Sequence, residues 1–157
     1  MDINYIAVDM IEAMLGLSKR NIETSYNFEN PENLYLIRAN VERLTDVFES
    51  KDLVERIYIN FCNPWPKKKH HKRRLMQRPR TNLLTQKLYE GGYVYMATDW
   101  EPYAEFALEE LNLTSNLKNK YEGFAPHQEW RPETKFEHKG LLAERKICEL
   151  FFEKTEE

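Results

Sequence analysis

One segment constrains this chain more than any other: an apolar strand pattern that runs directly into Asn63-Pro64-Trp65-Pro66 and then into a dense cationic run. Ile57, Ile59 and Phe61 alternate with Tyr58 and Asn60, as a strand buried on one face requires. Pro64 and Pro66 fix the backbone where the strand stops. Such an elbow holds Asn63, Trp65 and Lys67 at a strand C-terminus, the edge at which open α/β sheets bind their ligands.

Charge is distributed unevenly around this elbow. The 157 residues hold 23 Lys plus Arg against 26 Asp plus Glu, a formal net charge of -3, so overall composition does not point to nucleic acid. Residues 67 to 80 nevertheless contain Lys67, Lys68, Lys69, Lys72, Arg73, Arg74, Arg78 and Arg80 with no acid, which leaves 15 basic and 26 acidic residues elsewhere. A positive field concentrated in one place attracts a polyanion and can contact several phosphates. The length suits one domain, 1–157, and 41% hydrophobic residues with 13% aromatics exclude a disordered chain. No apolar run approaches a membrane span and the N-terminus lacks a cationic leader, so the expectation is a cytoplasmic protein without a membrane partner. Cys62 and Cys148 have no metal-type spacing and read as reduced thiols.

Strand and helix patterns alternate along the chain. Strands are expected at Ile3–Val8, Leu34–Ile37, Arg56–Phe61, Tyr93–Ala97 and Ala143–Phe152. Helices are expected at Met10–Tyr26, Val41–Phe48, Arg73–Tyr89 with a bend near Pro79 and a stop at Gly91-Gly92, and Pro102–Leu113. Residues 114–140 read as mostly irregular. This order predicts an α/β fold with a mainly parallel sheet wrapped by helices. Asp9, Asn40 and Asn63 follow the first three strands, where they can line one edge and hold a nucleoside-like ligand, although each alone also suits a helix N-cap or turn.

Three motifs in the same order, Asn63-Pro-Trp-Pro-Lys-Lys-Lys-His-His-Lys-Arg-Arg-Leu75, Thr98-Asp99 and Arg131-Pro-Glu-Thr-Lys-Phe-Glu137, resemble the TrmB-type tRNA (guanine-N7-)-methyltransferases. The resemblance implies a Rossmann-like methyltransferase fold, S-adenosylmethionine as methyl donor, and the variable-loop guanosine of tRNA as target. Asp9 and Asn40 would then contact the donor's ribose and adenine, and Asn63 would stand at the donor–acceptor junction in the catalytic position. Lys67 would face substrate, Lys69, His70, His71, Lys72, Arg73 and Arg74 would take RNA, and Asp99 with Thr134, Lys135, Phe136 and Glu137 would hold the guanine. The chemistry agrees: guanine N7 carries an in-plane lone pair, so transfer needs alignment rather than a strong base. Adjacent N–H donors on guanine suit acceptor-only carboxylates such as Asp99 and Glu137. Trp65 is expected to brace the elbow, and His70 and His71 lack a third metal ligand at suitable spacing, so no metal site is expected.

The sequence departs from the family pattern in two places. Position 63 is Asn where the family's elbow commonly has Asp, which removes a negative charge and brings the motif closer to the Asn-Pro-Pro-aromatic signature of amino-methyltransferases. The chain also starts at what should be the second strand, and none of Gly16, Gly91, Gly92, Gly123 or Gly140 forms the glycine-rich turn expected after a first strand. An N-terminally incomplete domain is therefore expected, with a central strand missing or supplied by another chain, and without turnover by residues 1–157 alone. An RNA-binding remnant without catalysis and an amino-methyltransferase using Asn63-Pro64-Trp65 remain alternatives.

Overall fold

The computed structural model describes residues 3–27, 31–43 and 54–156. It divides into two compact units, Met1–Glu49 and Ser50–Glu157, each described here on its own.

In the first unit, strands β1 (Tyr5–Asp9) and β2 (Leu34–Arg38) form a parallel pair joined by helix α1 (Glu12–Ser25). Parallel strands need such a crossover, because a tight hairpin returns the chain in the opposite direction. The Asp9 carboxylate accepts from Ile11 N at 2.8 Å and turns the chain toward α1. A helix begins at residues 41–43; the remainder of the helix expected over Val41–Phe48 lies outside the described residues.

The second unit holds β3 (Val54–Asn60), α2 (Arg78–Gln86), β4 (Leu88–Thr98), α3 (Glu101–Asn112), β5 (Leu117–Asn119), α4 (Lys135–Leu142) and β6 (Cys148–Lys154). Its sheet runs in the order β3-β4-β6-β5. The β3–β4 pair is parallel, but both pairs made by β6 are antiparallel, so the sheet is mixed rather than mainly parallel. Along β4, Val94 and Met96 face a core with Ile59, Leu150, Phe152 and the α3 residues Tyr103, Ala107 and Leu111. Tyr95 and Ala97 face the other side with Phe151, as strand alternation requires.

The expected Arg73–Tyr89 helix is replaced by a 3-10 helix at Lys68–Arg73 and the shorter α2, which has Pro79 in its first turn. Proline is tolerated there because the first-turn N–H is unpaired in any helix. Gly91 and Gly92 do not stop a helix; they build a bulge inside β4, where the register shifts between Val54↔Leu88 and Arg56↔Tyr93. Gly91 has φ +77°, and a Cβ on Gly92 would stand 2.5 Å from the Glu55 carbonyl oxygen. Residues 114–140 are also more regular than expected. Thr134 caps α4 by accepting from Glu137 N, and the Glu137 side chain reaches back to Thr134 N. The last strand starts at Cys148 rather than Ala143, because α4 ends in a turn with Glu144 at φ +56°.

Candidate active site

The register Asn60↔Ala97 and the bond Phe61 N to Ala97 O at 2.9 Å bring the ends of β3 and β4 side by side. The Asn63 elbow and Asp99 therefore share one C-terminal sheet edge. Phe61 and Trp65 adopt φ of +50° and +45°, a left-handed conformation that bulky side chains rarely accept. Strain of this kind persists only where surrounding contacts over-determine it. Several contacts do so here. Asn63 Oδ1 accepts from Trp65 N at 3.1 Å, and Arg74 Nε donates to Pro64 O at 2.9 Å. Beneath them, Tyr103 receives a hydrogen bond from Met76 N and contacts Cys62 Sγ at 3.4 Å.

The basic run divides by exposure. Lys67, Lys68, Lys69, Lys72 and Arg73 are exposed, and none of these has an ion-pair partner among the described residues. Arg73 stacks over Trp65 at 5.0 Å, while the half-buried His70 meets the same ring edge-on. His71 is also half-buried. Arg74 differs: it is 3% exposed and its guanidinium lies against Phe106 and Tyr103. Burial pulls its pKa below the ordinary arginine value, and its geometry ties the elbow to α3.

The two acids expected to hold guanine have different surroundings. Asp99 is 24% exposed and forms an ion pair with Arg145 through Oδ2 at 2.9 Å, while Oδ1 has no partner among the described residues. Glu137 is 5% exposed, and both its oxygens meet the Arg131 guanidinium. Arg131 also donates to Glu149 at 3.1 Å, and Glu149 accepts from Tyr95 Oη at 2.6 Å and contacts His127 Nδ1 at 2.8 Å. The Arg131 hydrogen bonds hold the Glu137 carboxyl below its ordinary range. Burial opposes ionisation of Glu149, but bonds from Tyr95, His127 and Arg131 outweigh it and lower its pKa as well. Glu137 is thus enclosed in a buried network, whereas Asp99 presents a free oxygen. Thr134 is committed to the cap, and Lys135 and Phe136 project from the first turn of α4 as exposed side chains.

Sequence patterns alone did not single out Arg131 as a carboxylate clamp, nor Glu149, Arg145 or Gly140. The Thr134-x-x-Glu137 spacing is a capping-box signature and could have revealed α4. Arg131 meets Glu137 within one motif, but its bond to Glu149 and the pairing of Arg145 with Asp99 depend on long-range contacts, which no local signal carries.

In the first unit, Asp9 and Asn40 lie close together at the ends of the paired strands, where Ala39 N donates to Asp9 O at 3.2 Å. Asp9 Oδ2 has no partner among the described residues and can accept from hydroxyl groups. Asn40 Oδ1 accepts from Glu42 N, and its amide contacts Glu42 Oε2. No group of three or more metal-ligating side chains occurs among the described residues, and none of their helices is long and apolar enough to cross a membrane.

The chain is similar to the tRNA (guanine-N(7)-)-methyltransferases of Francisella philomiragia (38% identical over 151 residues, 96% of this chain and 64% of the relative) and Treponema pallidum (40% over 153 residues, 98% and 58%). That of Bordetella pertussis is 36% identical over 152 residues, 97% of this chain and 58% of the relative. The chain thus spans about three-fifths of the length of these relatives. Among solved structures, it resembles an N-methyltransferase NodS of Bradyrhizobium japonicum in complex with S-adenosyl-L-homocysteine (TM-score 0.62, 10% identity, 98% of this chain and 67% of that chain). It also resembles an rRNA methylase of Streptococcus thermophilus (TM-score 0.59, 15% identity, 98% and 74%). These likenesses establish a Rossmann-like methyltransferase fold. Residues 1–150 match the family described as "Putative methyltransferase", and the chain belongs to that methyltransferase family.

Proposed function

We propose that this chain serves methyl transfer from S-adenosylmethionine to guanine N7 in the variable loop of tRNA. The observation that carries the reading is the shared edge of β3 and β4, from which the chain leaves one strand into the exposed cations of the elbow and the other into a carboxylate with a free oxygen. The names of the relatives favour tRNA and guanine N7 over an amino-nitrogen target. Lys67, Lys68, Lys69, Lys72 and Arg73 would contact RNA phosphates, with His70 and His71 beside them. Arg74 would instead hold the elbow in shape.

The free oxygen of Asp9 fits a ribose hydroxyl, so the donor's nucleoside end would lie against Asp9 and Asn40. When bound, the donor supplies an electrophilic methyl group on sulfur. Asp99 would accept from the Watson–Crick edge of guanine and fix the direction of N7, while Phe136 and Lys135 would flank the base. Asn63 Oδ1 already accepts one hydrogen bond but has a second lone pair. As a neutral group it would orient the junction and leave charge stabilisation to Asp99. No group need remove a proton, because the attacking lone pair is already free.

The test is labelled methyl transfer to tRNA transcripts carrying guanosine or 7-deazaguanosine in the variable loop. Label on the first alone supports the proposal, and label on both excludes N7 as the acceptor. Label on neither, with tRNA bound, would agree with the expectation that residues 1–157 do not turn over alone and would leave this chain an RNA-binding module.

A further inference from the structure

We propose that Arg145 and Gly140 form a seat that aims the Asp99 carboxylate, making them positioning residues for guanine discrimination that do not touch the base. This rests on the reading of Asp99 as the guanine acceptor and extends it to residues outside the recognised motifs.

Asp99 follows the last residue of β4, where a short acidic side chain has no intrinsic reason to hold one orientation. Its Oδ2 is held by Arg145 Nε, and the arginine is itself fixed by the backbone. Glu144 N donates to Leu141 O and Arg145 N to Gly140 O, both at 2.9 Å, which is the paired bonding of a Schellman turn. The left-handed residue at its centre is Glu144, φ +56°, rather than the usual glycine. The turn points the chain back from α4 and places Arg145 beside the end of β4.

Gly140 closes the seat from the helix side. A Cβ there would stand 3.1 Å from both Cβ and Oδ2 of Asp99 and 3.4 Å from Ile147 Cδ1. The absent side chain lets α4 approach the carboxylate this closely. Asp99 is therefore gripped on one oxygen and packed from below, while the other oxygen has no partner among the described residues. A fixed carboxylate plane distinguishes two adjacent N–H donors from one, because a misdirected lone pair weakens the hydrogen bond steeply.

The experiment uses the whole chain with GMP and with IMP, which lacks the 2-amino donor, and follows binding by saturation-transfer NMR. It needs no methyl donor. The wild-type protein is expected to prefer GMP by about tenfold, the scale of one hydrogen bond to a charged group. Arg145→Gln removes the grip, and Gly140→Ala pushes the carboxylate by a few tenths of an ångström without removing a charge. Each should bring the GMP/IMP ratio close to one, Arg145→Lys should restore part of it, and the dependence of tRNA affinity on log salt, which counts phosphate contacts, should stay unchanged. Arg145 is 45% exposed, so its replacement leaves the core intact. Unchanged GMP/IMP ratios in both variants, with a preference in the wild type, would overturn the seat while leaving the guanine reading in place. A flatter salt dependence with Arg145→Gln would make Arg145 a phosphate ligand and overturn its positioning role. No GMP preference in the wild type would overturn the guanine reading, and the seat with it.

Discussion

Replacing Arg131 with methionine tests whether the segment Arg131–Glu137 is held by a buried charge network. The side chains of Arg131, Glu137 and Glu149 are 4%, 6% and 3% exposed, so the substitution strands two carboxylates in a site that water hardly reaches. Breaking a buried pair in this way costs about 3–5 kcal/mol. For a unit the size of Ser50–Glu157 that corresponds to a fall in Tm of about 12–25 °C. The loss must also depend on pH. Both carboxyls have lowered pKa values in the folded protein, so their stabilisation is present above the ordinary carboxylate range and disappears as pH falls through the depressed values. In the variant the same groups become easier to protonate, and the difference from wild type should shrink between pH 7 and about pH 4. Urea unfolding followed by tryptophan fluorescence at both pH values measures it. A loss under about 1 kcal/mol at pH 7, or the same loss at both, would show that solvent screens the network and would refute the reasoning.

Three further outcomes follow from the same geometry. Changing Lys67, Lys68, Lys69 and Lys72 to alanine should weaken tRNA binding and flatten its dependence on log salt by up to about 0.9 for each phosphate no longer neutralised, measured by filter binding. Glu137→Gln should lower the unfolding midpoint, whereas Asp99→Asn should leave it within about 1 kcal/mol of wild type and abolish the preference for GMP over IMP. Gly92→Ala should destabilise the second unit by about 1–3 kcal/mol in urea unfolding, because the new Cβ meets the backbone oxygens of Glu55 and Tyr89 at 2.5 and 2.8 Å.

The elements legible in the sequence were those that carry a local signal. The 57–61 alternation, the prolines after it and the acidic 102–113 pattern all identify elements present in the structure. The Gly91-Gly92 pair misled because glycine serves a helix stop and a strand bulge equally well, and only pairing with β3 decides between them. The motifs were legible in the sequence, but the surroundings of their side chains were not. Arg74 looks like its cationic neighbours in sequence, yet Tyr103 and Phe106, about thirty residues away, draw it inward. Glu137 and Asp99 looked equivalent as carboxylates. Arg131, six residues away, encloses the first, whereas Arg145, brought to the end of β4 by the turn after α4, leaves one oxygen of the second free.

The central claim, that this surface receives the variable-loop guanosine of tRNA with N7 directed into the site, is tested most directly by footprinting bound tRNA with dimethyl sulfate. The reagent methylates guanine N7 wherever that atom is open to solvent, and the measurement does not depend on a methyl donor. The account predicts that the chain protects the variable-loop guanosine selectively, and that Asp99→Asn removes this protection while tRNA stays bound. Protection spread evenly over the tRNA, or centred on another guanosine, would contradict it.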